Sequence, residues 1–470
     1  MADIDVYDDI SISEYTYQTT YIADVSETIA VTDSASMSRR IVCLNEKVLL
    51  PFRESLTFNG EILQSHNRTE QRIAWRRGFP DRRFSIKIVL ESSSEISKFE
   101  NKIHSWLKQS WSFPLWPLAE THTSTITAGD SSITVDTTYA GYQSNGFAMI
   151  WQDRDTYDLV TIASLTDTTL ILKETPNNTY AGTKYIMPCI SARCLGARLN
   201  WMEDKATVDL SFRLERVSDV IDFTADMVYD NKVVIKDPPI SMRNRIDYQN
   251  NPDFAVLDAG TGLFDIVSNS DFNVVTQPYT WHCESKQEAW ELRQLLHYIN
   301  GQQKGLLIPT FKNDLQLSQS VGSGDTDIYI VNANLFEDMG YNDLRTYIAF
   351  RPEGSDIIVR KVTAINPVSS TEEEITIDVA PGTAFDANDY LCWVDLCRLS
   401  NPTINIEWYQ RGKCLIQTVL TRIKTYDDSI AELYSHDEVE ATDSADRIFN
   451  LGMNVNENIT VEEDETVSVS

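Results

Sequence analysis

The strongest constraint on this chain is that one short stretch occurs in it twice. Glu91-Ser92-Ser93-Ser94-Glu95-Ile96 opens an amphipathic segment ending near Trp106, and Glu284-Ser285-Lys286-Gln287-Glu288-Ala289 opens another ending near Ile299. In each, Ser followed three residues later by Glu is a capping box, which gives two orphaned N–H groups at a helix start their acceptors. The match continues without a gap: Glu91 with Glu284, Ser92 with Ser285, Glu95 with Glu288 and His104 with His297, always 193 apart (91 to 284, 104 to 297). Ile96, Phe99, Ile103 and Trp106 form an apolar stripe at helical spacing, answered by Ala289, Leu292, Leu296 and Ile299. The pattern predicts a duplicated domain with one capped helix per copy.

Short β-type segments surround both helices. Phe84–Ile88 alternates as a half-buried strand leading into the first helix. Leu56-Thr57-Phe58 and Ile62-Leu63 flank Asn59-Gly60, a two-residue hairpin signal. After the first helix, the prolines of Trp111-Ser112-Phe113-Pro114-Leu115-Trp116-Pro117-Leu118 forbid helix, so its aromatics are expected to pack an extended segment onto the core. In the second copy Gly301 suits the helix C′ position, and Leu306-Leu307-Ile308-Pro309 replaces the aromatic segment. Strands are then expected at Ile133–Val135, Phe147–Trp151, Asp158–Ala163, Leu170–Lys173 and Tyr185–Met187. Their counterparts are Ile328–Val331, Thr346–Phe350, Ile357–Val362, Ile375–Val379 and Tyr390–Val394. Each copy closes with a strand pair, Ala197–Trp201 with Thr207–Arg213 and Thr403–Tyr409 with Leu415–Thr421.

The fold class expected is therefore mainly β with a few helices (α+β). It is a tandem duplication in which each copy is a strand–capped helix–strand core carrying an inserted small β-barrel or sandwich. The divisions are an N-terminal arm at 1–45, a first repeat domain at 46–217 (insert about 118–188), a connector at 218–245 marked by Asp237-Pro238-Pro239, a second repeat domain at 246–425 (insert about 310–394), and an acidic tail at 426–470. The arm is rich in Thr, Ser and acid and reads either as a docking arm or as a loose terminus. From Asp427 the chain has thirteen acidic residues against one basic, Arg447. That tail reads as solvated, with strand addition to a neighbouring subunit as the sharper alternative.

With 470 residues and 42% hydrophobic content, the chain has ample material for packed cores. A formal net charge of −30 argues against specific nucleic-acid binding or attachment to an anionic membrane. No apolar run is long enough for membrane insertion, and the acidic start Met1-Ala2-Asp3-Ile4-Asp5 is unlike a signal peptide. Seven cysteines, an odd number, fit reduced thiols in a cytosolic place of synthesis.

Residues that could carry chemistry are mostly explained by packing. Cys189 and Cys194, and Cys392 and Cys397, recur five apart at matching places and fall just inside zinc-ligand spacing. In strands, however, odd spacing sends the two side chains to opposite faces, so one thiol of each pair is expected in the core. His104 and His297 lack a neighbouring nucleophile motif and read as packing residues. Gly322-Ser323-Gly324-Asp325 is a turn without the lysine of a phosphate loop, and Glu372-Glu373-Glu374 reads as a solvated loop. Trp75, Trp106, Trp111, Trp116 and Trp151 could line a glycan groove, with core packing the simpler reading. No cofactor, metal or catalytic set is expected, and the chain reads as no enzyme.

The copies diverge most in charge. Arg68, Arg72, Arg76, Arg77, Arg82, Arg83 and Lys87 form the one concentrated basic stretch, whereas 246–276 carries Asp247, Asp253, Asp258, Asp265 and Asp271. Arg68, Arg72, Arg76, Arg77, Arg82, Arg83, Asp253, Asp258 and Asp265 are accordingly candidate subunit-interface residues, as complementary faces meeting between copies or subunits. Neutralisation by the chain's own acid is the competing reading, and contact with DNA phosphate is a third, which the acidity of the rest of the chain opposes.

The order Arg72…Trp75-Arg76…Pro80…Arg83-Phe84, capped helix, Phe113-Pro114-Leu115-Trp116 and inserted strands resembles bacteriophage tail structural proteins. The resemblance covers most of 46–425 and is closest to tail sheath or tail tube components of N4-like short-tailed phages, or to distal-tail ring proteins. It implies a virion tail protein, assembled in the host bacterial cytoplasm. Its partners would be itself, in a hexameric ring or a trimer with pseudo-sixfold symmetry, and other tail proteins. An acidic lumen would let DNA slide. The rivals are a host-surface glycan-binding or glycan-degrading tail component, and a cellular two-domain adhesin or scaffold.

Overall fold

The structure, a computed structural model, describes residues 42–64, 70–74, 80–202, 205–215, 223–239, 249–251, 254–258, 264–268, 273–338, 345–351 and 356–423, with Gly260 and Gly262. The arm and acidic tail predicted at the two ends lie outside the described residues, apart from 42–45. The protein is mainly β, with 54% strand against 11% helix.

The first half runs β1 (Val42–Cys43), β2 (Val48–Thr57), β3 (Gly60–Gln64), β4 (Glu70–Ala74), β5 (Asp81–Leu90) and α1 (Ser93–Trp106). It continues with β6 (Ser110–Pro114), a 3-10 turn at Trp116–Leu118, β7 (Glu120–His122), β8 (Ser132–Thr134) and β9 (Phe147–Trp151), then β10 (Tyr157–Thr166), β11 (Thr169–Leu172), β12 (Lys184–Met202) and β13 (Lys205–Leu214). The second half runs β14 (Val228–Tyr229), β15 (Lys232–Val234), β16 (Gln249–Asn251), β17 (Phe254–Asp258), β18 (Phe264–Ser268), β19 (Val274–Cys283) and α2 (Lys286–Ile299). It ends with β20 (Leu306–Pro309), β21 (Asp327–Val331), α3 (Leu335–Asp338), β22 (Tyr347–Arg351), β23 (Ile358–Pro367), β24 (Glu372–Ile377), β25 (Tyr390–Leu399), β26 (Thr403–Gln410) and β27 (Lys413–Arg422).

The chain divides into two compact units, each drawing on more than one stretch of it. Among the described residues, one takes in 42–47, Leu90–Gly196 and 205–206, and the other takes in those of 48–89, Ala197–Met202 and those of 207–423. β2 is the reason, since it pairs antiparallel both with β5 and with β26, Thr57 lying opposite Asp81 on one side and opposite Thr403 on the other.

In the first unit β12 pairs with β6, β7 and β9, and β9–β10–β11–β8 extend the sheet. Ile133, Ile150, Ile162, Leu170, Tyr180 and Ile186 close its core. Trp111 and Phe113 of β6 are fully buried, as an extended aromatic segment should be, although Trp116–Leu118 makes one helical turn with Pro117 in its first positions. Glu46 is buried beneath Lys102 (3.2 Å) and Arg154 (3.6 Å), and Trp151 donates its indole N–H to the Asn45 carbonyl at 2.8 Å.

In the second unit the strands pair as β12(197–202)–β13–β5–β2–β26–β27–β19–β16. β20, β22 and β25 lead into a module whose core holds Ile328, Ile348, Phe350, Val362, Ile375 and Trp393. The region predicted as a connector contains β14 and β15, whose Val233 pairs in parallel with Leu306 of β20. These strands are too short to register as a periodic pattern. The Asn59-Gly60 hairpin does not form. β3 pairs with β4 instead, because β2 already has partners on both edges and Phe58 donates its N–H to the Pro402 carbonyl at 2.9 Å.

Both helices start as capping predicts. Ser92 Oγ accepts from Glu95 N at 3.3 Å and Ser285 Oγ from Glu288 N at 3.1 Å. The glutamates reach one residue further back than in the usual box: Glu95 and Glu288 each accept from the N–H of the residue before the cap, Glu91 and Glu284, at 2.8 Å. The helix ends differ. α2 finishes on Asn300 and Gly301, both left-handed (φ 49° and 65°), and a Cβ on Gly301 would lie 2.7 Å from Phe58 Cβ. Gly301→Ala is expected to cost about 2–4 kcal/mol, combining a disfavoured φ with overpacking, read as a lower urea midpoint at unchanged slope.

Candidate assembly interface

Strand registers in the two modules correspond pair by pair. Pro114 of β6 faces Cys189 of β12, and Pro309 of β20 faces Val394 of β25. Trp151 of β9 faces Tyr157 and Tyr185, and Arg351 of β22, 200 residues on (151 to 351), faces Tyr390. The ladder between β10 and β11 shifts register between Ile162 and Ser164, and that between β23 and β24 shifts between Val362 and Ala364. Isolated bridges join Ile126 to Tyr180 and Val321 to Phe385. Even the turns repeat: Asp130 Oδ2 accepts from Thr127 N, and Asp325 Oδ2 from Gly322 N, both at 2.7 Å.

This register separates the cysteines that the sequence pairs. Cys189 corresponds to Val394, 205 residues on (189 to 394), and not to Cys392. Nor does one member of each pair face outward. Cys189, Cys194, Cys392 and Cys397 are all buried: β25 and the part of β12 around Cys189 are covered on both faces, and Cys194 lies on the inner face of a stretch whose neighbours Arg193 and Leu195 are exposed. No group of metal-ligating side chains occurs among the described residues. Burial pushes the Cys43 and Cys392 thiols up to about 12, and Cys189 and Cys397 also well up. A disulfide-exchange reagent such as DTNB is therefore expected to leave all seven thiols of the folded protein unmodified and to modify seven after denaturation; fast reaction of any thiol in the fold contradicts this burial.

The other residues considered for chemistry are also structural. His104 is exposed on α1, whereas His297 is buried on α2 with its ring edge-on to Phe58 (6.1 Å between centroids). Glu372-Glu373-Glu374 is not a loop but part of β24. Its middle residue is buried and accepts from the N–H groups of Ala333 and Phe336 at 2.9 Å. Trp111, Trp116 and Trp151 are core residues, so they form no glycan platform, while Trp106 is half-buried. Trp75 lies outside the described residues.

The structure answers the charge question unevenly. Arg68, Arg76, Arg77 and Asp253 lie outside the described residues. Arg72, Arg82 and Arg83 are matched by acids of their own chain. Arg72 meets Glu70 (3.3 Å) and donates to the Gln303 carbonyl, and Glu70 also receives Arg398 at 2.7 Å. Arg82 donates at 2.6 Å to the buried Glu54, which Arg293 (2.9 Å) and Trp408 (3.0 Å) also reach. Burial raises the Glu54 carboxyl, but Arg293 and Arg82 outweigh it and hold the group below the ordinary range. Arg83 and Arg213 share Asp81 at 2.8 and 2.7 Å. Local neutralisation accounts for these three arginines, and Asp258 and Asp265 bond only to nearby backbone N–H groups among their described contacts.

What the basic stretch marks instead is a difference between two hairpins. β3–β4 and β17–β18 have the same register, Gly60 opposite Ala74 and Phe254 opposite Ser268, an offset of 194 (60 to 254, 74 to 268). Glu70, which anchors the first hairpin to Arg398, corresponds to Phe264, and Arg72 corresponds to Ile266. Among the described residues the second hairpin pairs only with itself, and it exposes Phe254, Val256, Leu257, Phe264, Ile266 and Val267. Alternation puts Phe254, Val256, Phe264 and Ile266 on one face and Leu257 and Val267 on the other. Sequence reasoning saw only the charge here; the alternation is present in Phe254–Asp258 and Phe264–Ser268 but is masked by the aspartates.

No protein-family model matches the chain, and neither does any curated protein. Among the described residues, no helix is long and apolar enough to cross a membrane.

Proposed function

We propose that this chain is a structural subunit without enzymatic activity. In this reading it associates with copies of itself into a closed ring and serves in a bacteriophage tail as a tube, sheath or distal-ring component. The carrying observation is the pair-by-pair register correspondence, down to the matching ladder shifts at 162–164 and 362–364. It supports two copies of one domain per chain, and tandem copies supply pseudo-equivalent positions in a ring, six from a trimer or twelve from a hexamer. The apolar β17–β18 hairpin supports association, since an isolated two-stranded ribbon exposing both faces is marginal until something covers it. The net charge of −30 suits a ring through which DNA passes without adhering. The tail assignment rests on the sequence resemblance.

Light scattering on a sizing column, with negative-stain imaging of the peak, tests the ring. A discrete multiple of 53.5 kDa with annular particles is expected. A monomer at every concentration removes the proposal.

A further inference from the structure

Eight strands of the second unit form a row within the larger sheet that is two half-sheets joined head to tail. One half reads β12(197–202)–β13–β5–β2 and the other β26–β27–β19–β16. Their order corresponds strand for strand. In both halves a hairpin follows the last-named strand (β3–β4 after β2, β17–β18 after β16), and a capped helix follows β5 and β19. The register agrees as well. Ser55, Leu56 and Thr57 face Arg83, Arg82 and Asp81, while Gln249, Asn250 and Asn251 face Thr276, Val275 and Val274.

The halves meet where β2 pairs antiparallel with β26, from Thr57 opposite Thr403 to Phe52 opposite Trp408. That junction occupies one edge of the β2 kind and one of the β26 kind. The described strands leave one more of each, with β16 at one end of the sheet and 197–202 of β12 at the other. A sheet edge presents a row of backbone donors and acceptors and is a template for another strand. The side chains differ in the way this predicts. Trp408 is buried at the internal junction, with its indole N–H on Glu54 of β2, whereas Trp201 on the corresponding outer strand is 57% exposed.

We infer that β16 of one chain pairs antiparallel with segment 197–202 of a second copy of this chain, repeating between subunits the β2·β26 junction made within one. The inference rests on the ring reading and names its contact. The occupant is a second copy because the surface continues a sheet whose internal junction already joins these two kinds of edge. Since the two edges differ, the contact is head to tail: it cannot be satisfied by a two-fold pair and propagates until the ring closes.

Hydrogen exchange on the full chain, dilute and assembled, reads this out. Backbone amides of 197–202 and 249–251 are expected to slow together by tenfold or more on assembly. Trp201→Lys is expected to weaken assembly at least tenfold with the monomer's unfolding midpoint unchanged. Rings in which either segment exchanges as in the monomer overturn this contact while leaving the ring reading intact. Full protection of both segments in the dilute monomer overturns it too, because the chain then covers its own edges. A chain that never assembles overturns both.

Discussion

Glu54→Gln is expected to be the most damaging single substitution in the central sheet. The carboxylate lies opposite Phe84 on β5 and Ile406 on β26, and it accepts from Arg82, Arg293 and Trp408 in a site only 2% exposed. A neutral amide removes the carboxylate that the buried guanidinium groups of Arg82 and Arg293 both reach, and removing one partner of a buried ion pair costs about 3–5 kcal/mol. The thermal midpoint should fall by about 10 °C. The wild-type protein should show the same site as an acid limb. Because the folded carboxyl titrates below its unfolded counterpart, the stabilisation is fully present above the ordinary carboxylate range and is lost as pH falls through the folded value. Glu70, also held low although burial opposes it, adds to the same limb through Arg398 and Arg72. Urea midpoints between pH 3 and 7 check this: the limb should flatten in Glu54→Gln, and an unchanged slope would mean that Glu54 is not the titrating group.

The second large effect concerns association. Leu257→Lys with Phe264→Lys places charge on both faces of the β17–β18 hairpin, where the native side chains are 57% and 65% exposed. Burying one such side chain contributes about 1.5–3 kcal/mol. Losing two should therefore weaken assembly on the order of a hundredfold or more. The isolated chain's melting temperature should not move, because neither side chain contributes to its core. Analytical ultracentrifugation over a concentration series separates the two quantities. A fall in melting temperature without loss of assembly would place the hairpin in the fold of its own chain instead.

The parts of this architecture legible in the sequence are those set by local chemistry. Ser92 and Ser285 cap helices because the interaction spans three residues, and Phe147–Trp151 reads as a strand because its apolar run is bounded by turns. Partner choice is not local. Asn59-Gly60 has turn chemistry, yet β26, some 350 residues away, takes the edge that the hairpin would use (Thr57 to Thr403). Cys189 and Cys392 look equivalent by spacing until the ladders show Val394 opposite the second proline. The basic stretch announced a charged interface, but Arg72 and Arg83 meet acids two residues away on their own strands, Glu70 and Asp81, and only Arg82 meets one that another strand brings to it, Glu54 of β2. The more informative signal was what replaces them: Phe264 for Glu70 and Ile266 for Arg72 turn an anchored hairpin into an exposed apolar one.

If two like domains per chain close into a ring as proposed, each chain contributes two lobes to it. Native mass spectrometry of the assembled particle gives the number of chains, and averaged end-on images of the same sample give the number of lobes. A mass that is a whole multiple of 53.5 kDa is expected, with twice as many lobes as chains. An open filament, or a ring with one lobe per chain, would contradict it.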